Sequence, residues 1–571
     1  MATALALRWP PMSQAYLPQH DPDPSLRQPG LETNRERYVY DATIVPPFVV
    51  YRSLPAAEIF TAGYFTDRLS SSVGVPANFA AVKLASLIDR FDELQDYEDL
   101  FKLFDPPAIV RNWRDDAMFA EQRVAGIECR LLRRISRLPE NLRLPAADFT
   151  AITGMGLDHA AAEGRLHLAD YALLDGIEAG ETHGLAKFLH APLALFCWVD
   201  QPGSQDMRRE TPRAGRLVPV AIQLGQRPGP HNLYTPRDGA EWLLARTAVQ
   251  AAEYALHMMG HHVAIVHLAM ENFAMATARQ LADNHPLAAL LRPHLRYMMA
   301  QDELSRRTFV NPGGYIDRLL APTLAGSLEI AARSFKRWDL RAWALPRDLA
   351  ERGVDDRETL PHYPFRDDGL LIWNATAEYV AAYLDRFYPS DAELHADPEL
   401  RAWLDELADP SRGNLPGLPA WPPTRADLAE LVTNVLFTNG PYHASLNYRQ
   451  WEYATYVPNY PMALYSPLPP RGSLRDANDA ERALLELLPA QKQALAQLEI
   501  INLLTAYQLD QYGHYGDDDP LLGQPRQIRE IVMNFQERLA SIEAEIHRRN
   551  DDRAVPYHGM LPSKIPNSAS V

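Results

Sequence analysis

The feature that most constrains this fold is a long stretch of chain without proline. The 571 residues include 47 prolines, yet none occurs between Pro236 and Pro286. Proline breaks the interior of a helix, so its absence over this length favours an uninterrupted one. The sequence of residues 235–238, Thr-Pro-Arg-Asp, is typical of a helix start with proline in the first turn. We therefore expect one long helix to cross the middle of the molecule.

The remaining sequence predicts a mainly α fold with minor short β elements. Apolar residues recur at helical spacing, as in residues 79–104 and 490–507, and prolines separate these segments. Residues 216–225 are richer in β-branched side chains and predict a short strand or hairpin. Residues 1–35, rich in Pro, Gln and Asp, predict an extended N-terminal arm. Without low-complexity linkers beyond it, residues 36–571 are expected to form one large catalytic domain around the long helix.

Composition narrows the class of partner. Hydrophobic residues make up 47% of the chain and charged residues 23%, which is enough apolar material for a large core. The 56 Lys and Arg against 73 Asp and Glu give a net charge of -17, which disfavours nucleic acid as a partner. The same charge disfavours stable docking on anionic membranes, although a local apolar patch would allow transient contact. We expect a monomer that binds a small or apolar molecule.

The chain shows no sign of a disulfide framework or of targeting. Two cysteines, Cys129 and Cys197, form neither a disulfide framework nor a zinc site. Apolar runs such as residues 191–199 are too short to span a bilayer. The N-terminus lacks the basic region of a secretory signal, so we expect a cytoplasmic protein and leave secretion open.

Histidines mark the long helix as a candidate metal site. His257, His261, His262 and His267 fall within eleven residues, although a single buried histidine is most often an ordinary core residue. His262 and His267 are five apart, so at about 100° per residue a regular α-helix would separate them by roughly 140°. A π-type turn, with hydrogen bonds between residues five apart, would return them to one face. If both bind one metal, the spacing predicts a π-type turn.

Two later segments add candidate ligands. His443 and Asn447 are four apart, which places both on one face of a regular helix. The last seven residues, 565–571, carry no charged side chain, whereas chain ends are usually polar and solvated. The tail is therefore expected to lie inside the protein. Its buried carboxylate would then need a cation or a metal as partner.

These segments together resemble one known family. The spacing of His257, His262 and His267 resembles the central-helix signature of lipoxygenases, and His443 with Asn447 looks like the second iron-binding helix of that family. Further similar stretches lie at residues 216–225, 268–287, 345–353, 363–373, 457–461 and 565–568. The resemblance runs from about residue 40 to the end. Because so few residues precede it, the chain looks like the compact bacterial type without the N-terminal β-sandwich domain.

The resemblance implies a mononuclear metal centre. The residues implied as ligands of one non-haem iron are His262, His267, His443, Asn447 and, through its terminal carboxylate, Val571. Imidazole, amide and carboxylate donors suit iron, with manganese as the less favoured alternative. The set contains no thiolate, the donor that would favour structural zinc. A position remains for water, whose pKa falls sharply on a metal.

The activity implied is that of a dioxygenase. A hydrogen atom leaves a bis-allylic methylene of a polyunsaturated fatty acid of the linoleate or arachidonate type, dioxygen adds to the carbon radical, and a lipid hydroperoxide results. Two alternatives stay open. A hydroperoxide isomerase on the same scaffold would rearrange a preformed hydroperoxide, and a lipid-binding homologue would have lost the metal. The presence of all the implied ligands argues against the latter.

The resemblance also assigns residues around the metal. Gln450 matches a glutamine that hydrogen-bonds to the ligands, and His257 a retained histidine that does not bind the metal. Met258 stands where many relatives have a Gln or Glu that hydrogen-bonds toward the substrate channel, so that hydrogen bond is not expected here. The residues expected at the substrate pocket are Val263, Ser305, Leu503 and Leu504. Ser305 falls at a position that correlates with product chirality, and its size, closer to alanine than to glycine, favours S products.

Overall fold

A computed structural model describes most of the chain, and it confirms a mainly helical architecture. The described residues are 14–71, 74–85, 91–201, 214–229, 231–516, 521 and 524–570. Helices make up 55% of the structure and strands 8%. Within the described residues, no helix combines the length and the apolar character needed to cross a membrane.

The α-helices vary from a single turn to more than seven turns. They cover Arg27–Arg37, Ala62–Ser71, Gly74–Ala85, Asp116–Ala125, Ala146–Thr153, Leu157–Ala162, Ala240–Ala255, Glu271–Gln280, Pro286–Leu291, Met298–Thr308, Tyr315–Leu319, Leu324–Arg337, Leu345–Arg352, Pro364–Phe387, Asp391–His395, Pro398–Ala408, Arg425–Phe437, His443–Asn447, Arg449–Ala454, Ala477–Leu487, Gln491–Thr505 and Arg526–Asp552. The apolar stretch at residues 490–507 thus forms the predicted helix, whereas the described part of residues 79–104 is α-helical up to Ala85 and then contains only the short 3-10 helix Leu94–Tyr97.

The predicted long helix spans residues 240–280 and is hereafter the central helix. It consists of the α-helix Ala240–Ala255, a π-helical segment Leu256–Ala269 and the α-helix Glu271–Gln280. Nearly all its side chains are buried, including charged ones such as Glu253 and Glu271, because other elements pack around it on every side. The helix Leu324–Arg337 crosses it at Gly260, where an added Cβ would lie 2.7 Å from the Ser334 hydroxyl oxygen. The expected π-type turn is confirmed and is fourteen residues long.

A second helix contains another π-helical turn. The α-helix Arg425–Phe437 continues through the π-helical residues Thr438–Tyr442 into His443–Asn447. Pro441 lies within this turn, where it has no backbone N–H to donate. We refer to the whole as the 425–447 helix. It brings the second pair of candidate ligands, His443 and Asn447, into the core.

The strands are few and short, with one larger antiparallel sheet. They are β1 (Tyr40–Val45), β2 (Phe48–Tyr51), β3 (Arg133–Arg134), β4 (Leu166–Asp170), β5 (Glu181–Thr182), β6 (Leu185–Ala186), β7 (Leu193–Asp200), β8 (Gly215–Gln223) and β9 (Leu233–Tyr234). The order in the larger sheet is β3-β4-β7-β8-β9, and β1-β2 and β5-β6 form separate ladders. Strand β8 confirms the strand predicted at residues 216–225.

The expectation of an extended arm over residues 1–35 is wrong for part of its length. Residues 1–13 lie outside the described part of the chain, but Arg27–Arg37 forms a helix. The Arg27 side chain is 5% exposed and pairs with Glu399 at 2.8 Å, and Leu31 is buried. The composition of this segment therefore did not reveal that Arg27 and Leu31 fix it to the rest of the protein. The boundary at residue 36 between an arm and a catalytic domain stays a prediction.

Candidate metal centre and substrate pocket

Three histidines from two helices converge in the core. His262 and His267 come from the central helix and His443 from the 425–447 helix, and one ring nitrogen of each lies within 4.8 Å of the others. The ring centroids are 5.0 Å apart for His262 and His267, and 5.2 Å apart for His262 and His443. The π-helical segment is what allows a spacing of five to place two imidazoles on one face. The sequence prediction for these three residues thus agrees with their positions.

The ring nitrogens of two of these histidines are available to a metal. His262 and His443 are buried, and neither nitrogen of either ring has a hydrogen-bond partner among the described residues. Burial holds the pKa of both imidazoles well below the usual value, and the neighbouring imidazoles lower it further. Both are therefore neutral at pH 7, the form that binds metals. Buried polar atoms without partners are costly, so a cation bound to one lone pair of each ring would offset that cost.

The third imidazole is held by a carboxylate. The Nδ1 of His267 lies 2.8 Å from Oδ1 of Asp302, which belongs to the helix Met298–Thr308. Asp302 is buried beside Glu271, whose pKa burial raises to about 8. Arg306 pairs with Glu271 at 3.1 Å. Because a carboxylate only accepts hydrogen bonds from imidazole, Nδ1 carries the proton and Nε2 keeps its lone pair.

Asn447 lies on the same helix as His443, and hydrogen bonds fix the orientation of its side chain. Its amide nitrogen donates to the backbone carbonyl of Leu504, and its Oδ1 is 3.5 Å from the amide nitrogen of Gln450. Gln450 in turn accepts a hydrogen bond of 2.7 Å from the Tyr254 hydroxyl. All of these side chains except that of Leu504 are essentially inaccessible to solvent. The expected role of Gln450 beside a ligand is consistent with this chain of hydrogen bonds.

The C-terminal tail enters the core, as its uncharged sequence predicted. Residues 565–570 are all buried. Asn567 anchors the tail: its side-chain Oδ1 accepts from the Gly513 N–H at 2.9 Å, and its backbone carbonyl lies 3.1 Å from Nδ1 of His294. The Tyr64 hydroxyl donates to the carbonyl of Ser570. Val571 itself lies outside the described residues, so its carboxylate stays a predicted ligand.

Gly440 makes room for the tail within the second π-helical turn. A Cβ at this position would lie 2.8 Å from the Tyr512 ring and 3.0 Å from the backbone carbonyl oxygen of Pro566. A Cβ this close to an aromatic ring and to a backbone oxygen would require the helix or the tail to move. The glycine therefore permits close packing of the tail against the helix that carries His443 and Asn447.

A narrow apolar pocket adjoins the histidines. Its cavity volume is about 50 Å³, and its lining includes His262 and His267. Three of the four predicted pocket residues, Val263, Ser305 and Leu504, line it. Leu503 does not, because its side chain leaves the helix Gln491–Thr505 about 100° away from that of Leu504. Further lining residues are Val45, Met258, Leu268, Gln301, Asp302, Arg306, Phe309, Val310 and Ile316.

Comparison with known proteins decides the family. The lipoxygenase family model matches residues 211–560. A linoleate 9/13-lipoxygenase of Pseudomonas aeruginosa is 35% identical over 499 residues, which cover 84% of this chain and 70% of that protein. This chain belongs to the lipoxygenase family.

Other lipoxygenases are similar at comparable levels. The rat polyunsaturated fatty acid lipoxygenase ALOX15B is 33% identical over 509 residues, which cover 86% of this chain and 72% of the rat protein. The crystal structure of coral 8R-lipoxygenase superposes with a TM-score of 0.88 at 27% identity, covering 98% of this chain and 83% of the coral chain. The mouse hydroperoxide isomerase ALOXE3 is 31% identical over 511 residues, covering 87% and 68% of the two chains.

The remaining histidines of the central helix lie outside the cluster of this lipoxygenase. His261 pairs through Nδ1 with Glu128 at 2.8 Å, an ordinary core arrangement. His257 is buried with its ring centroid 5.9 Å from that of His262, and burial lowers its pKa to about 4. As expected, neither joins the group of three convergent histidines.

Sequence reasoning missed Asp302, which contacts a candidate ligand, and Tyr254, which contacts Gln450. Asp302 is 35 residues from His267 and Tyr254 is 196 residues from Gln450, so neither pair has a recognisable spacing. The one available signal was the position of Asp302 three residues before Ser305, which places both on one face of a helix. Lipoxygenases use a non-haem iron, and neutral, unpartnered imidazoles beside an amide oxygen fit that metal.

Proposed function

We propose that this lipoxygenase binds one iron and adds dioxygen to a polyunsaturated fatty acid of the linoleate or arachidonate type, giving a lipid hydroperoxide. The residues proposed to hold the iron are His262, His267, His443, Asn447 and, through its carboxylate, Val571. One observation carries the proposal: three buried histidines, two of them with unpartnered nitrogens, converge at the wall of an apolar pocket.

The protein's part in this reaction is to orient ligands and substrate. When bound, iron would supply the one-electron oxidation that removes a hydrogen atom from the bis-allylic carbon, and dioxygen would add at one end of the resulting pentadienyl radical, which leaves a conjugated diene. Val263, Leu268 and Phe309 offer apolar surface against which the acyl chain packs, and such a pocket excludes water. Asp302 and Gln450 hold ligand side chains in place.

Iron is the proposed metal rather than manganese. The protein supplies imidazole and amide donors and no thiolate, a set that both metals accept. The family relationship supports iron, and metal analysis of the purified protein by mass spectrometry distinguishes the two. Manganese in the active enzyme, with iron below one atom per ten chains, would overturn this assignment.

The test of the dioxygenase function measures product and oxygen together. Iron-loaded protein incubated with linoleate is expected to gain conjugated-diene absorbance and to consume an equal amount of dioxygen. His443→Ala should lose iron and both signals, whereas His261→Ala, a buried histidine outside the cluster, should keep them despite lower stability. The function is refuted if iron-loaded wild type shows neither signal.

A hydroperoxide isomerase is the second candidate. Its support is the 31% identity to the mouse isomerase ALOXE3, close to that of the dioxygenases. Side-by-side assays with linoleate and with linoleate hydroperoxide separate the two activities. A dioxygenase consumes oxygen with the free fatty acid, whereas an isomerase consumes the hydroperoxide without net oxygen uptake.

We further propose a monomer that contacts lipid surfaces transiently. Phe65 and Leu69 on the helix Ala62–Ser71 are 58% and 62% exposed, while Tyr64 on the same helix contacts the buried tail. Exposed apolar side chains beside the site favour weak binding to neutral lipid. Phe65→Ser with Leu69→Ser should reduce flotation with phosphatidylcholine vesicles, whereas Leu26→Ser, at another exposed apolar residue, should not. Sedimentation equilibrium tests the monomer.

A further inference from the structure

The three convergent histidines are not equivalent. Only His267 has a hydrogen-bond partner among the described residues, namely Asp302, whereas both ring nitrogens of His262 and His443 lack one. The protein alone therefore fixes which nitrogen of His267 carries a proton. For the other two rings, no hydrogen bond from the described residues selects the protonated nitrogen, so metal binding would select it.

The Asp302 carboxylate contacts a candidate ligand directly, through its 2.8 Å hydrogen bond with His267. Its side chain is 2% exposed, and its second oxygen, Oδ2, has no partner among the described residues. Arg306, one helical turn further on, pairs with Glu271 at 3.1 Å and with Glu303 at 3.5 Å. A buried carboxylate of this kind interacts with nearby charge far more strongly than one in water.

A carboxylate hydrogen-bonded to an imidazole changes what the imidazole offers a metal. It makes the ring a stronger donor and fixes its orientation. Its negative charge also stabilises the metal more strongly in the higher charge state, because the attraction scales with the product of the charges. Both effects act in one direction: they favour ferric over ferrous iron.

We infer that Asp302 is a positioning residue that fixes the tautomer of His267 and biases the bound iron toward its ferric state. The inference rests on the proposed iron site. Because the ferric state is the one that removes the hydrogen atom, this bias would favour the form of the enzyme that reacts with substrate. Loss of its charge would favour the reduced enzyme.

The chain contains a matched control for this pair. Glu128 and His261 form a hydrogen bond of the same length, 2.8 Å, through the same ring nitrogen, and His261 lies on the same π-helical segment. His261 does not belong to the three convergent histidines. Glu128→Gln therefore removes an equivalent buried charge without altering a candidate ligand.

The test measures the midpoint potential of the bound iron in a redox titration. The ferric electron paramagnetic resonance signal reports the oxidised fraction at each potential. Asp302→Asn keeps an oxygen acceptor for His267 but removes the charge. It should lower the ferric-to-ferrous affinity ratio about tenfold, equivalent to a potential raised by ~59 mV for one electron. Asp302→Glu, which keeps the charge, should stay close to wild type, and Glu128→Gln should not shift. Asp302→Ala should lose iron affinity by about 10–100-fold.

Two outcomes separate failure of the inference from failure of the proposed function. Wild-type protein that binds no iron refutes both. Wild-type protein that binds iron, with Asp302→Asn at an unchanged potential, overturns only the role of Asp302. If Asp302→Asn does not fold, imidazole ¹⁵N NMR of metal-free wild type decides instead: His267 should carry its proton on Nδ1, and a proton on Nε2 would overturn the inference.

Discussion

Asn447 shows how single residues set this site. Its amide nitrogen is committed to the Leu504 carbonyl, so its oxygen is the atom left for a metal, and the Gln450 amide nitrogen lies 3.5 Å from that oxygen. Hydrogen bonds to the far atoms of a ligand side chain select which atom faces the metal. The same logic applies at His267 through Asp302.

Gln450→Leu should weaken the metal site. The change removes both the contact to Asn447 and the acceptor of the Tyr254 hydroxyl, so we expect iron affinity and activity to fall by about 10–100-fold. Tyr254→Phe removes only the outer hydrogen bond and should have a smaller effect. Iron titrations of the metal-free proteins measure both, and equal affinities for Gln450→Leu and wild type would contradict this role.

Ser305 should control product chirality from its place in the pocket wall. We expect mainly S hydroperoxides from wild type and from Ser305→Ala, and a shift toward R products for Ser305→Gly, because removing the side chain opens that part of the pocket. Chiral chromatography of the reduced products measures the ratio. The same ratio in all three proteins would exclude a role for Ser305.

His167 should make the stability of the metal-free protein dependent on pH. Burial lowers its pKa to about 4, below the unfolded value of 6.5, while its ring contacts the Arg165 carbonyl at 3.1 Å. Below pH 6.5 the unfolded chain takes up a proton that the folded chain excludes, so this residue costs up to ~1.4 kcal/mol per pH unit down to about pH 4. His167→Gln cannot titrate. Urea unfolding should therefore show a shallower loss of stability for the variant between pH 6.5 and 4, and identical slopes would contradict the assignment.

At the scale of elements, spacing predicted the kind of helix defect but not its extent. A gap of five between His262 and His267 required a π-type turn if they share a metal, and the central helix contains one. Its length of fourteen residues and the second π-helical turn at Thr438–Tyr442 were not predictable. Both depend on packing between distant segments, as at Gly440, where the tail passes the helix.

Gly440→Ala should damage the metal site through this packing. The added methyl group would contact the Tyr512 ring at 2.8 Å and the Pro566 carbonyl oxygen at 3.0 Å, so the tail or the helix must move. We expect a loss of about 1–3 kcal/mol in the free energy of unfolding and weaker iron binding. Gly30→Ala, in a helix with open space around the glycine, should instead be neutral or stabilising by up to ~1 kcal/mol. Thermal denaturation and iron analysis compare the two, and equal effects would contradict the account.

At the scale of the whole molecule, local patterns predicted the helical class and the buried tail, and the resemblance to lipoxygenases predicted the three convergent histidines. The sequence did not predict β3, β4, β7 or β9, which complete the five-stranded sheet around β8, because pairing between segments such as Arg133 and Leu168 leaves no local pattern. It also misjudged Arg27–Arg37, whose helix is held by the remote Glu399. Asp302 was missed for the same reason: its partner His267 is 35 residues away. Contacts of this kind become visible only when the chain is folded.

The central claim is that one iron lies among His262, His267 and His443. Anomalous diffraction from crystals of the iron-loaded protein, recorded on both sides of the iron absorption edge, tests it most directly. We predict a single strong peak per chain, roughly 2.0–2.2 Å from a nitrogen of each of the three rings, by analogy with other imidazole–metal distances. No peak in iron-loaded crystals, or a peak that does not contact all three histidines, would contradict the account.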